Sequence, residues 1–201
     1  ALLFADSHRH SYSGCKPAVS DILCGATCLV AEANNIERAS HVREKLSEFA
    51  GAAELSYAAG IASAIYGKKT PSGTFFPSTI YANVGRRLTG ETIYHEFNLL
   101  AEIAGGLAVT LPYEDDFNSE ETKAWLEKYI MRNPKIPPDV AHRIWRLVEN
   151  LTSSSMAAWY QIAGVHGGGS PIMETIALNQ EYDYESKKNI AKYLAGINKE
   201  L

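Results

Sequence analysis

Apolar residues recur along this chain at the three- and four-residue steps of an α-helix, and strand-like alternation is almost absent. In "PAVSDILCGATCLVAEANNI", residues Val19, Ile22, Leu23, Ala26, Leu29, Val30 and Ala33 fall on one stripe and predict a first helix of roughly five turns. A second helix is predicted from Ser40, as N-cap, through Val42, Leu46, Phe49, Ala53 and Tyr57 toward Ala64, and "YGKKTPSG" breaks it with Gly67, Pro71 and Gly73. A third segment, "TGETIYHEFNLLAEIAGGLAV", sets Ile93, Phe97, Leu100 and Ile103 on one face and stops at Gly105 and Gly106. Asn118 with Glu121 three positions on has the form of a capping box, opening a helix through Trp125 and Tyr129 that ends before Pro134. Pro137 and Pro138 start another, "DVAHRIWRLVENL", with Ile144, Leu147, Val148 and Leu151 as its buried stripe. "METIALNQ" and "DYESKKNIAKYLAGI" close the chain as helices around a polar turn, and only "ALLFAD" at the front resembles a strand. The expectation is an all-α antiparallel helical bundle over residues 16–201, preceded by an extended leader over residues 1–15.

Composition narrows the partners. The 201 residues are 46% hydrophobic, enough to bury a sizeable core, and the net charge of −4 with a pI of 5.9 gives no cationic surface for nucleic acid or an acidic bilayer. No run reaches the length of an uncharged membrane span, and the start lacks a secretory signature. Three cysteines, an odd number, fit a reducing compartment, so a cytoplasmic protein is expected. The chain starts on Ala1 rather than Met, as a processed product, a cloned piece or one half of a split enzyme would.

Candidate chemistry concentrates in "SHRHSYSGC", residues 7–15, read as a loop. Seven residues separate His8 from Cys15, and Gly14 supplies freedom for an imidazole nitrogen and a thiolate to curve toward one centre, with Tyr12 between them carrying a proton. Two ligands do not close a tetrahedral or cubane centre, so the rest must come from elsewhere. Cys24 and Cys28 share a helical face, but apolar neighbours assign them to the core. His41, His95 and His142 sit among ordinary charged helix neighbours and receive no role. In "NVGRR", Arg86 and Arg87 read first as a solvated, salt-bridged face and second as a phosphate contact.

The stretch "FADSHRHSYSGCK", then "DILCGA", "AEANNIERASHVREKL", "AEIAGGLAVTLP", "RLVENLT" and "HGGGSP", resembles the C-terminal part of the 4-hydroxybutyryl-CoA dehydratase family over essentially the whole chain. These are flavin and iron-sulfur enzymes that also isomerise vinylacetyl-CoA. The resemblance implies that His8 is both a ligand of a [4Fe-4S] cluster and the base for an unactivated C–H bond. It further implies that Cys15 is a second cluster ligand and that Tyr12 assists proton transfer. It implies a bundle of the acyl-CoA dehydrogenase C-terminal type following a central β domain, with FAD covered by the bundle, an acyl-CoA substrate and homo-oligomeric assembly. By position in that fold, Gly105, Gly106, His166 and Gly167 are candidates to lie near FAD, with helix termination and tight packing as the equal alternative for these glycines, and Arg86 is a candidate contact to a phosphate of FAD or CoA.

Several parts of the family pattern are missing. The remaining two cluster cysteines, spaced C-x-x-x-C, and an active-site Glu belong to regions outside this chain, and a second Glu expected just before "HGGGSP" is Ala163. The chain alone is therefore expected to hold no complete cluster and to need an N-terminal portion, which in the split-enzyme case is a separate subunit. The competing expectation is an oligomerising bundle without catalysis, or part of the related flavin-dependent 4-hydroxyphenylacetate 3-hydroxylase-like monooxygenases, which need no cluster.

Overall fold

The computed structural model describes residues 2–197. Three long helices pack side by side, α1 (Leu2–Ala33), α2 (Ser40–Ile65) and α3 (Thr79–Ala104), with α2 antiparallel to α3 and α1 parallel to it. Between α2 and α3 sits a two-stranded antiparallel hairpin, β1 (Lys68–Lys69) and β2 (Phe75–Phe76), with Lys68 opposite Phe76. The fourth row is interrupted. It comprises α7 (Pro138–Ser153), α8 (Ser155–His166) and α9 (Pro171–Glu181), reached through three short helices, α4 (Leu107–Thr110), α5 (Glu114–Asn118) and α6 (Lys123–Ile130). The Arg146 guanidinium donates to the Pro112 carbonyl near the end of α3, while Gly164 meets Ile93 further back along it, so this row runs opposite to α3. A last helix, α10 (Tyr184–Leu194), buries none of its residues.

Leu23, Val30, Val42, Phe49, Ile93, Phe97, Leu100, Trp145 and Val148 form the centre of one continuous core. The all-α reading stands, and α3 buries all four residues of its predicted stripe and ends as expected on Gly105, whose φ of +68° suits a residue without a β-carbon. The extended leader is corrected from Leu2 on, Ala1 lying outside the described residues: "LLFAD" and "SHRHSYSGC" are neither strand nor loop but the first turns of α1, which runs unbroken through Pro17. The physical reason is a seam of strict three-four spacing, Asp6, Arg9, Ser13, Lys16, Ser20, Leu23, Thr27 and Val30, every member of which is buried. Its first half is polar and so invisible as a hydrophobic stripe, yet each polar group meets a partner on α1 itself, α3 or the 164–168 turn. Those contacts offset the missing amide of Pro17, which in a helix interior costs about 3 kcal/mol. By length and composition α1 could also cross a membrane, with a mean hydropathy of 1.2 over 18 residues, but here it is the central helix of the bundle.

Smaller corrections follow the same logic. Asn118 ends α5 instead of opening a helix, because the Asp116 carboxylate accepts from the Tyr113 amide at 3.0 Å and places the cap five residues earlier. Ser40 is the first residue of α2, not its cap. Tyr57 and Leu147, predicted inside, are exposed, while Trp145 takes the interior position on α7. The chain bends into α8 at Ser154, whose hydroxyl accepts from the Ala157 amide.

Candidate active site

Helix α1 sorts the chemistry of residues 6–16 onto two faces. His8, Tyr12 and Cys15 each stand one position before a seam residue, at steps of four and three, so they form a second stripe about 100° around the helix from Arg9, Ser13 and Lys16. His8 and Cys15 are exposed and Tyr12 is half-buried. Two turns, about 10.5 Å, separate the imidazole position from the thiol position, with the phenol between them. Imidazole and thiolate are both donor types that an iron-sulfur centre accepts. Among the described residues no third His, Cys, Asp or Glu joins them.

Behind this stripe lies a buried polar layer. Arg9 is 2% exposed; its Nε donates to the Gly168 carbonyl at 3.0 Å and its Nη1 to Asn83 Oδ1 at 2.7 Å, beside Asp6. Asp6 in turn accepts from Asn83 Nδ2 and Thr79 Oγ1. Lys16 Nζ donates to Glu96 Oε1 at 2.5 Å and to Ser20 Oγ at 2.7 Å. Burial pushes the Lys16 ammonium below the ordinary lysine range, and the Glu96 carboxylate pulls it part of the way back. Arg86 is fully buried, its Cζ 4.6 Å from the centre of the Tyr12 ring. Burial raises the Tyr12 phenol above its ordinary value and the Arg86 charge opposes that rise.

The layer is close-packed because glycine stands where helices or turns meet. A β-carbon on Gly85 would lie 2.8 Å from Ser13 Oγ and 2.9 Å from Ala59 Cβ, and one on Gly168 would lie 2.5 Å from Arg86 Nε.

The predicted site residues therefore do not all converge. His8, Tyr12, Cys15, Arg86 and the turn carrying His166 and Gly167 belong to one end of the bundle. His166 and Gly167 are exposed there. Gly105 and Gly106 lie nineteen and twenty residues beyond Arg86, roughly 28 Å away along α3, so they serve as the helix stop at the opposite end. Arg86 is not on a solvated face. That description fits Arg87, which is half exposed and pairs with Glu91. Cys24 packs against the core, and burial with the neighbouring Cys28 raises its thiol to about 11. A cleft of about 570 Å³ between Phe117, Lys123, His142 and Arg146 contains none of these residues. Arg9, Lys16, Glu96 and Glu174 escaped the sequence reading; extending the three-four spacing of Leu23, Thr27 and Val30 backward through Pro17 would have located the first two.

A reactivity contrast follows. At pH 8 the Cys24 thiolate amounts to about one part in a thousand, so Cys15, exposed on α1, should alkylate well before Cys24. Peptide mapping after brief iodoacetamide treatment checks the order; modification of Cys24 first in the folded protein would contradict this arrangement.

This fold and layer define the helical C-terminal domain of a flavoprotein family. The chain belongs to the 4-hydroxyphenylacetate 3-hydroxylase C-terminal family, whose profile matches residues 1–196. It is 35% identical over 202 residues to the 4-hydroxybutyryl-CoA dehydratase/vinylacetyl-CoA-Δ-isomerase of Clostridium aminobutyricum, covering 96% of this chain and 41% of that protein. It is 24% identical over 132 residues to a 2,4,6-trichlorophenol monooxygenase of Cupriavidus pinatubonensis, covering 66% of this chain and 25% of that protein. Among solved structures, the oxygen-tolerant archaeal 4-hydroxybutyryl-CoA dehydratase of N. maritimus superposes with a TM-score of 0.90 at 36% identity, over 98% of this chain and 39% of that one. The FAD complex of the oxygenase component of 4-hydroxyphenylacetate 3-monooxygenase superposes with a TM-score of 0.84 at 22% identity, over 92% of this chain and 39% of that one, and shares the fold. The chain thus spans about two fifths of the length of the dehydratases it matches.

Proposed function

We propose that this chain forms the C-terminal domain of an FAD and iron-sulfur dependent enzyme of the 4-hydroxybutyryl-CoA dehydratase/vinylacetyl-CoA isomerase type, acting on an acyl-CoA in a homo-oligomer. The observation that carries the reading is the stripe on α1 of exposed His8 and Cys15 with half-buried Tyr12 between them, backed by a buried layer that fixes the helix's rotation. In this reading His8 and Cys15 hold one side of a [4Fe-4S] cluster, and two cysteines outside this chain complete it. A bound flavin supplies transient one-electron acceptance, and a bound cluster supplies Lewis-acid pull on a leaving hydroxyl. The chain's own part is positional. Tyr12, its phenol kept protonated by burial, has a proton to give, and an imidazole one turn away can accept one. The turn at His166 and Gly167 lies at the same end of the bundle and contributes exposed backbone for cofactor contact. Ala163 withholds the carboxylate that the family pattern places there, so one proton-transfer step must rely on another group.

Anaerobic co-purification with the N-terminal portion, followed by iron analysis and the flavin spectrum, tests the proposal. The assembled protein should contain about four irons per protomer and bound FAD, and His8→Ala or Cys15→Ser should each lose most of the iron while leaving the helical signal unchanged. Flavin without iron would favour the monooxygenase reading, which the shared fold with the FAD-bound oxygenase component supports.

A further inference from the structure

We infer that Arg86 is a positioning residue for Tyr12: its guanidinium sits over the phenol ring, tethered from α3 and α8, and fixes the direction in which the hydroxyl points. The inference rests on the reading of Tyr12 as the proton-transfer group and extends it to a residue on another helix. Three observations converge. The Arg86 Cζ stands 4.6 Å from the centre of the Tyr12 ring, within the range of a cation–π contact, and the side chain that makes it is fully buried. Its Nη1 donates to the Gly164 carbonyl at 2.7 Å and to Thr89 Oγ1 at 3.1 Å, so one edge of the fork is anchored at the end of α8 and on α3. The other edge is not consumed by hydrogen bonds: Nε faces Glu174 Oε1 at 3.6 Å, and Nε and Nη2 have no hydrogen-bond partner.

A guanidinium that served only stability would be expected to use its full donor fork, because each buried donor left without an acceptor is costly. Here Nε has only the charge of Glu174 opposite it, Nη2 has no acceptor, and the group stands over an aromatic ring. The neighbourhood also prevents the guanidinium from drifting. A β-carbon on Gly168 would collide with Nε at 2.5 Å and one on Gly90 would come within 3.4 Å of Nη1, so the group fills a slot whose walls are backbone. Arg86 thereby couples the stripe on α1 to the 164–168 turn, next to Ala163.

The test replaces tyrosine by 3-fluorotyrosine and follows the Tyr12 fluorine resonance, assigned by its loss in Tyr12→Phe. In the parent chain this resonance should be displaced from those of the exposed tyrosines. Arg86→Gln should move it most of the way back, and Arg86→Lys, which keeps the charge but not the planar fork, should restore part of the displacement. If Arg86→Gln does not fold, Arg86→Gln with Glu174→Gln, which removes the stranded carboxylate, carries the same measurement. An unchanged Tyr12 resonance in the folded variant, or an equal movement caused by Ile93→Val elsewhere on α3, would overturn the inference. In the assembled enzyme Arg86→Gln should lower kcat about 100-fold with little change in KM, the effect of a misplaced reacting group. If Tyr12→Phe leaves turnover intact while the resonance still responds to Arg86, the proton-transfer reading fails and the positioning contact survives.

Discussion

Lys16→Met should destabilise the folded chain by about 3–5 kcal/mol, the cost of leaving one member of a buried ion pair without its partner. Both side chains are 1% exposed, so neither water nor salt can take over when the partner is removed. Methionine fills much of the same volume, which confines the loss to charge and hydrogen bonds: Glu96 loses the ammonium at 2.5 Å and Ser20 loses its donor. Neutralising both members, in Lys16→Met with Glu96→Gln, should recover most of the loss, because the isolated carboxylate is then gone. Urea unfolding followed by circular dichroism reads the difference. A single-variant loss below about 1 kcal/mol, the range of exposed pairs, would show that the pair is hydrated in solution.

Trp145→Ala should cost about 3–5 kcal/mol by creating a large cavity where α7 meets α1 and α3. Trp145 is 1% exposed and belongs to the central cluster with Leu23, Val30, Leu100 and Val148. Trp159 on α8 provides the control, since it is 65% exposed and its replacement by Ala should change the chain's stability by less than about 0.5 kcal/mol. Equal losses for the two would mean that α7 does not pack as described.

Lys16 and Trp145 mark the limit of what the sequence makes legible. The stripe on α3, the break at Gly67 to Gly73, the Pro138 start of α7 and the stop at Gly105 were readable because each depends on local chemistry: apolar spacing, proline at a first turn, glycine at a positive φ. Trp145 was missed because the α7 stripe was drawn through Leu147 and Leu151, and only the position of α1 decides which edge of that apolar arc is sealed. Lys16 was missed because a charged residue carries no hydrophobic signal, and its partner Glu96 lies 80 positions away. The candidate site was half legible. His8, Tyr12 and Cys15 stand together in the sequence, whereas Arg86 and the turn at Gly168 reach them only through the packing of α3, α8 and α9.

By itself, the sequence determined the helical architecture, the stop of α3 at Gly105, the start of α7 at Pro138 and the grouping of His8, Tyr12 and Cys15 in one short stretch, since short-range spacing and backbone preference suffice for those. Tertiary structure alone decided that residues 2–15 are helix rather than strand or loop, and that Gly105 and Gly106 lie far from the rest of the site. It also decided that Arg86 faces a ring instead of solvent. The reason is that buried polar groups take their conformation from partners distant in the chain, and no local pattern encodes where those partners will be.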